Sequence, residues 1–310
     1  MDESLELRFA REQRLARGNA RRLERETVRR DLVRIRLGAY ADSEEWAAAD
    51  SVARHLALVA AARRAARREP VFSHESAAAL LGIPIIGSWP SRVTATVRRG
   101  SGWSSGAVHR VHRDLDPVDV VQLDDGARVT SPARTAVDLA AVRSRLAGII
   151  AMSEVRRRGV ESESLRQTLD RAGRMLGIGA ARAAFRDSVG GSDSPLETLV
   201  IVRCRDLGFA EPAQQHHVVG VDGKDYWVDF AWCGGEILGE ADGRDKYRSA
   251  DGGSDFEALW AEKRREDAIR ARCRAFLRVS WEDAWGGVGL ERRLLAAGVP
   301  RTRRPGALTL

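Results

Sequence analysis

Gly234 and Gly235 divide two apolar runs, "YWVDFAW" (226–232) and "EILGEADG" (236–243), and this glycine pair constrains the fold more than any other feature of the chain. Adjacent glycines between strand-like segments mark a tight β-hairpin. With the two glycines as the loop, Cys233 faces Glu236, and each step outward fixes the next pair until Asp229 stands opposite Glu240. Directly opposed residues of an antiparallel pair have Cβ atoms about 4.5–5.5 Å apart, and like charges there repel unless something lies between them. A divalent cation meets that need, because two carboxylates, a backbone carbonyl and waters form the hard oxygen site that Mg2+ or Mn2+ takes. Asp242 lies two residues beyond Glu240 and so shares its face. A ribbon whose acids point at water is the simpler account. Against it, Trp227, Phe230, Trp232, Ile237 and Leu238 are apolar on both faces, as in a central strand pair.

The surroundings of the hairpin complete an order α-β-β-β-α-β. "SPLETLVIVRCRDLGF" opens a helix with Ser194 as cap, Pro195 in the first position and Glu197 three residues after the cap, a capping box. "QQHHVVGV" is the first strand, "DFEALWAEKRREDAIRARC" the second helix and "AFLRVSW" the last strand. At 100° per residue, Lys263 aligns with Phe256, Leu259, Trp260 and Asp267, so it can face the sheet; an exposed Lys263/Asp267 pair explains the spacing equally well.

Upstream, "SVGGSDSP" (188–195) breaks the pattern with Gly, Ser and Pro and reads as a linker. Residues 5 to 41 read as helices followed by a hairpin: "NARRLERETVRRD" is basic, and "LVRIRLGAYA" alternates Val33, Ile35 and Leu37 against Arg34 and Arg36, with Gly38 at the turn. A basic helix followed by a basic ribbon is the pattern of a winged helix-turn-helix, although a solvated amphipathic helix beside an unrelated hairpin fits as well. Residues 43–69 form one helical stretch with Trp46, Val52, His55, Leu56 and Val59 on a stripe, and His55 at the core edge. Short strands "RVTATVRR", "AVHRVHR" and "DVVQL" with two short helices make a compact α+β module, and 141–187 is helical. His109 and His112 are oddly spaced on one strand, which argues against a metal pair. "GIGAARAAF" (177–185) has no strand before it, so it is a helix start rather than a phosphate loop.

A length of 310 residues fits two or three domains, and no apolar run approaches the ~20 residues that cross a bilayer. The three cysteines form no C-x-x-C pair, the N-terminal stretch lacks a signal-type apolar run, and a cytoplasmic protein is expected. A net charge of +7 favours a polyanionic partner. Only Lys224, Lys246 and Lys263 interrupt the use of arginine as the basic residue.

"SPLE", "VDFAW" and "GEADG", in this order and spacing over about residues 190–290, resemble the PD-(D/E)XK nuclease fold, in the branch similar to very-short-patch-repair endonucleases. The resemblance implies metal coordination by Asp229 and Glu240, with Glu197 as a supporting acid, although Glu197 is equally explained by its capping box. It implies hydrolysis of DNA by a metal-activated water. Where the family has a lysine two residues after the glutamate, this chain has Asp242, so either Lys246 or Lys263 stands in for it, with Lys246 nearer in sequence, or the site is inactive. "LVRIRLGAYA", "FSHESAAALLGIP", "RVTATV" and "TSPARTAVDLA", over about residues 5–185, resemble the AbiEi-type antitoxin and transcriptional-regulator family. That resemblance implies operator contact by Arg21, Arg22, Arg25, Arg29, Arg34 and Arg36 as a group, and a following domain that neutralises a nucleotidyltransferase-type toxin.

The expectation is therefore an α+β multidomain protein. A winged helix-turn-helix occupies 1–42, an AbiEi-like α+β module with a helical C-terminal part 43–187, a linker 188–195 and a restriction-endonuclease-like α/β domain 196–310. Two functions follow: a Mg2+- or Mn2+-dependent endonuclease acting on double-stranded DNA, or an antitoxin-like transcriptional repressor whose nuclease fold is an inactive scaffold.

Overall fold

The computed structural model describes residues 5–10, 31–66, 68–98, 108–242, 256–304 and 306. The chain divides into two compact units, one of Met1–Arg143 with Val160–Arg182 and one of Ser144–Gly159 with Ala183–Leu310.

The first unit opens with a three-stranded antiparallel sheet of β1 (Leu7–Phe9), β2 (Leu32–Arg36) and β3 (Ala39–Asp42), in the order β1-β3-β2. Leu7–Phe9 is thus a strand where a helix was expected, because its backbone is paired with Ala39–Ala41. The turn falls at Gly38, whose φ of +77° suits the residue without a Cβ. The alternation read from "LVRIR" does not survive intact. The β2–β3 register shifts between Arg34 and Arg36, leaving Leu37 86% exposed and Arg36 partly buried. The basic helix with Arg21, Arg22, Arg25 and Arg29 lies outside the described residues.

The single helix expected over 43–69 is two, α1 (Ser43–Ala48) and α2 (Ser51–Ala65). Asp42 caps the first by accepting from the Glu44 and Glu45 N–H groups, and Asp50 interrupts the stretch to cap the second, accepting from Ala53 N–H at 2.7 Å. His55 is a core residue rather than an edge one: Nδ1 lies 2.9 Å from Pro90 O and Nε2 3.0 Å from Ser76 Oγ.

A five-stranded mixed sheet follows, built from β4 (Val71–Phe72), β5 (Val93–Val97), β6 (Val108–His112), β7 (Val120–Gln122) and β8 (Arg128–Thr130) in the order β6-β5-β4-β8-β7. Helix α3 (His74–Leu80) leaves β4, and α4 (Pro132–Val142) leaves β8. Phe72, Val93, Ala95, Val108 and Val129 pack with Val59, Ala62 and Ala77 as the core, which is why β5 is buried along its whole length. His109 and His112 are both exposed on β6. The chain next forms α5 (Arg145–Arg157) in the second unit before returning for α6 (Ser162–Ala172) in the first.

Helix α7 (Ile178–Asp187) crosses the division, its residues from Ala183 on belonging to the second unit, and α8 (Pro195–Leu207) follows. Strands β9 (Ala213–Val219), β10 (Asp225–Trp232) and β11 (Ile237–Ala241) form an antiparallel meander. Helix α9 (Phe256–Arg270) then leads to β12 (Ala275–Val279), which pairs parallel with β11 and gives the sheet order β12-β11-β10-β9. The order α-β-β-β-α-β is the one read from the sequence, and α10 (Trp281–Gly286) and α11 (Val288–Ala297) extend it. Helix α5 belongs here because Leu146, Ile149, Ile150, Met152 and Val155 are all buried and it packs on α8.

Candidate functional site

The acidic hairpin has the predicted register. Phe230 pairs with Gly239, Ala231 with Leu238 and Trp232 with Ile237, so one further step outward brings Asp229 to the level of Glu240. The loop is wider than a two-residue turn: Cys233, Gly234 and Gly235 all have positive φ, and no strand pairing joins Cys233 to Glu236.

Alternation fails at the critical residue. Val228 and Ala231, three residues apart, enter one cluster with Leu238 and Ile269, which a strictly alternating strand does not permit. Strand β10 therefore changes face across Asp229–Phe230, opposite Gln215, whose φ of +46° marks the same distortion on β9.

The two carboxylates consequently serve different partners. Asp229 Oδ2 accepts from Ala241 N–H at 2.7 Å. Glu240 Oε1 accepts from Arg265 Nη2 at 2.6 Å, and that nitrogen also donates to Trp227 O at 3.1 Å. The other guanidinium nitrogen of Arg265 reaches Glu262 at 3.2 Å. Burial opposes the Arg265 charge, but the hydrogen bond and charge of Glu240, with Glu262 behind them, outweigh it and hold its pKa above the ordinary guanidinium value.

Asp242 lies 3.8 Å from Arg278 of β12, which binds Glu266 at 2.8 Å. Glu197 is 5% exposed and engages both oxygens locally, with Ser194 Oγ, Asp193 N–H and Gln215 Nε2 as donors. Burial pushes its carboxyl pKa up; these hydrogen bonds pull it back, and the Asp229 charge pushes it up again. Half of the expected capping box is present: Ser194 Oγ accepts from Glu197 N–H, but the Glu197 carboxylate takes Asp193 N–H one residue before the cap, and the Asp229 charge acts on it as well.

Lys263 does not face the sheet. It is exposed with Asp267, its Nζ 5.4 Å from the Trp260 ring centroid, because burial of Ala268 and Ile269 turns Glu262, Arg265 and Glu266 inward instead. Lys246 lies outside the described residues. Among the described residues no group of three His, Cys, Asp or Glu side chains is arranged to hold a metal ion. The hairpin acids do not fit a metal centre here, because Arg265 already neutralises Glu240. Sequence reasoning missed Arg265; its one signal was the i, i+3 spacing to Glu262, which many exposed helices share.

Of the arginines expected at DNA, Arg34 is exposed, whereas Arg36 lines a cleft of about 270 Å3 with Ile35, Leu58, Ser91, Arg92 and Val93. Burial pulls the Arg36 pKa down.

A second constellation joins the two upstream motifs, "SHES" and "SPARTAVD". Arg134 binds Asp138 at 3.0 Å and Asp119 at 3.4 Å with all three side chains at most 3% exposed, and Arg171 closes on Asp119 at 2.8 Å. Arg113 stands 3.9 Å from Asp138, and Arg143 lies 3.4 Å from Glu75. His74, at 7% exposure, adopts a left-handed φ of +54°, a strained position for a residue with a Cβ. Burial pulls its pKa down, while the charges of Asp138 and Glu75 oppose that shift.

Residues 71–183 match the family model of the AbiEi antitoxin C-terminal domain. The match spans the five-stranded sheet, helices α3 to α6 and the start of α7, so the buried network lies inside the matched residues. It does not reach the N-terminal hairpin or the acidic hairpin. No curated protein matches the chain. A similar solved structure is that of the RV2827C protein from Mycobacterium tuberculosis, 16% identical, with 58% of this chain and 71% of that one covered at a TM-score of 0.38. Among the described residues no helix is long and apolar enough to cross a membrane.

Proposed function

We propose that this chain is a DNA-binding regulator of antitoxin type. The observation that carries this role is the AbiEi antitoxin C-terminal domain match over residues 71–183. The basic N-terminal region supplies the DNA contact, with exposed Arg34 on the β2 ribbon as its described representative. The partner that accompanies this role is a nucleotidyltransferase-type toxin.

Phosphate contacts release counterions, so affinity for duplex DNA falls steeply with salt. For about four such contacts the fall between 50 and 200 mM KCl is on the order of 100-fold, and removing one contact lowers the log–log slope by about 0.9. Fluorescence anisotropy of the full chain with a labelled duplex is expected to show that fall, with a shallower slope for Arg34→Ala. Salt-independent affinity, or no binding at 50 mM KCl, defeats the role.

Metal-dependent cleavage is the second reading, favoured by the α-β-β-β-α-β order and the register of Asp229 against Glu240. It is set below the first because Glu240 is paired with Arg265. With Mg2+ or Mn2+, the parent is expected to nick plasmid DNA no faster than Asp229→Ala. Nicking by the parent that Asp229→Ala abolishes reverses the ranking.

A further inference from the structure

The sheet of the second unit carries a dense set of charges on the side that packs against α9. Glu240 of β11 and Arg278 of β12 are in register on neighbouring parallel strands. Glu262, Arg265 and Glu266 reach them from α9. Each of the carboxylates Glu240, Glu262, Glu266 and Asp242 lies within 4 Å of a guanidinium nitrogen of Arg265 or Arg278.

The Glu240–Arg265 pair differs from a surface ion pair in two respects. Its side chains are only 14% and 28% exposed, so water screens it poorly. Arg265 is also fixed by a second acceptor, Trp227 O on β10, so one planar group ties α9 to two strands at the level of the acidic hairpin. A metal ion at Glu240 has to displace a guanidinium that donates to Glu240 at 2.6 Å and is also held by longer bonds to Trp227 O at 3.1 Å and Glu262 at 3.2 Å.

We propose that Arg265 is the built-in counter-cation of the acidic hairpin, holding the place beside Glu240 that a divalent metal ion would take, so that the second unit is assembled and stable without metal. The like-charge conflict between Asp229 and Glu240 is resolved inside the chain: a backbone N–H serves the first and Arg265 the second. This goes beyond the regulator role and does not depend on it. Loss of salt-dependent DNA binding sinks that role and leaves Arg265 as it is.

The test melts the full chain with and without MnCl2, with KCl matched to equal ionic strength. In EDTA it compares the parent with Glu240→Gln, Arg265→Met and the double variant. Mn2+ is expected to leave the parent melting temperature where it is. Each single variant is expected to melt lower, by about 2–4 °C for each kcal/mol lost in a unit of this size, and the double variant by no more than Arg265→Met alone, because Glu240→Gln then removes only an interaction that Arg265→Met has already removed. Should Arg265→Met fail to fold, Arg265→Lys takes its place: it keeps the charge but its single ammonium cannot span Glu240 and Trp227 O as the guanidinium does, so its melting point falls between those of the parent and Glu240→Gln. A Mn2+-dependent rise in the parent that Glu240→Gln abolishes overturns the proposal. So does a double variant that falls by the sum of the single falls.

Discussion

Arg134→Met is expected to lower the unfolding free energy of the AbiEi-type region by about 3–5 kcal/mol, the cost of breaking a buried ion pair from one side. Asp119 and Asp138 are 0% and 1% exposed, and Arg134 is the residue that bonds both. Arg171 remains to Asp119 at 2.8 Å, but among the described residues the cation left nearest Asp138 is Arg113, at 3.9 Å and beyond a hydrogen bond. The control is Arg166→Met on α6. Arg166 also joins two carboxylates, Glu163 and Asp170, at 2.5 and 3.0 Å, but all three side chains are more than half exposed. Exposed pairs of that kind contribute about 0–1 kcal/mol. Urea unfolding of both variants checks the difference. Equal losses at Arg134 and Arg166 contradict a buried structural network.

Gly177→Ala is expected to cost more than about 4 kcal/mol, among the largest effects of a single substitution. Gly177 has φ +79°, and a Cβ built there falls 2.0 Å from Ala141 O, a backbone atom of the α4 C-terminal region that has no rotamer to move. The other glycine of the same "GIG" supplies the contrast. Gly179 lies in α7 with nothing within 4 Å of its added Cβ, so Gly179→Ala is expected to stabilise by up to about 1 kcal/mol. A phosphate loop requires both glycines for close backbone approach, whereas a packed helix start requires only the first. Melting curves of the two variants distinguish these demands, and similar losses at both positions count against the packing account.

Much of the architecture was legible because local rules act over short distances. The glycine pair and the flanking apolar runs fixed the β10–β11 register. Ser194, Pro195 and Glu197 fixed the start of α8, where Ser194 Oγ accepts from Glu197 N–H at 3.2 Å. The strand at Leu7–Phe9 was missed because its pairing with β3 is non-local and its three residues carry no period of their own. The break at Asp50 was missed because an aspartate inside an alanine-rich stretch reads as a solvated helical residue until its carboxylate is seen capping α2.

The sequence alone determined which residues are neighbours along the hairpin, and it carried the motifs "SHES" and "SPARTAVD" by which residues 71–183 were recognisable. Only the tertiary structure decided what those residues do. Register depends on counting along two joined strands, so it follows from the chain itself, but the face that Asp229 presents depends on a strand distortion shared with Gln215. The partner of Glu240 depends on the phase at which α9 lies on the sheet, which burial of Ala268 and Ile269 sets. Lys263 and Arg265 are two residues apart and carry the same charge. Packing of the helix sends one to solvent beside Trp260 and the other to Glu240, because about 200° of helical turn separates them.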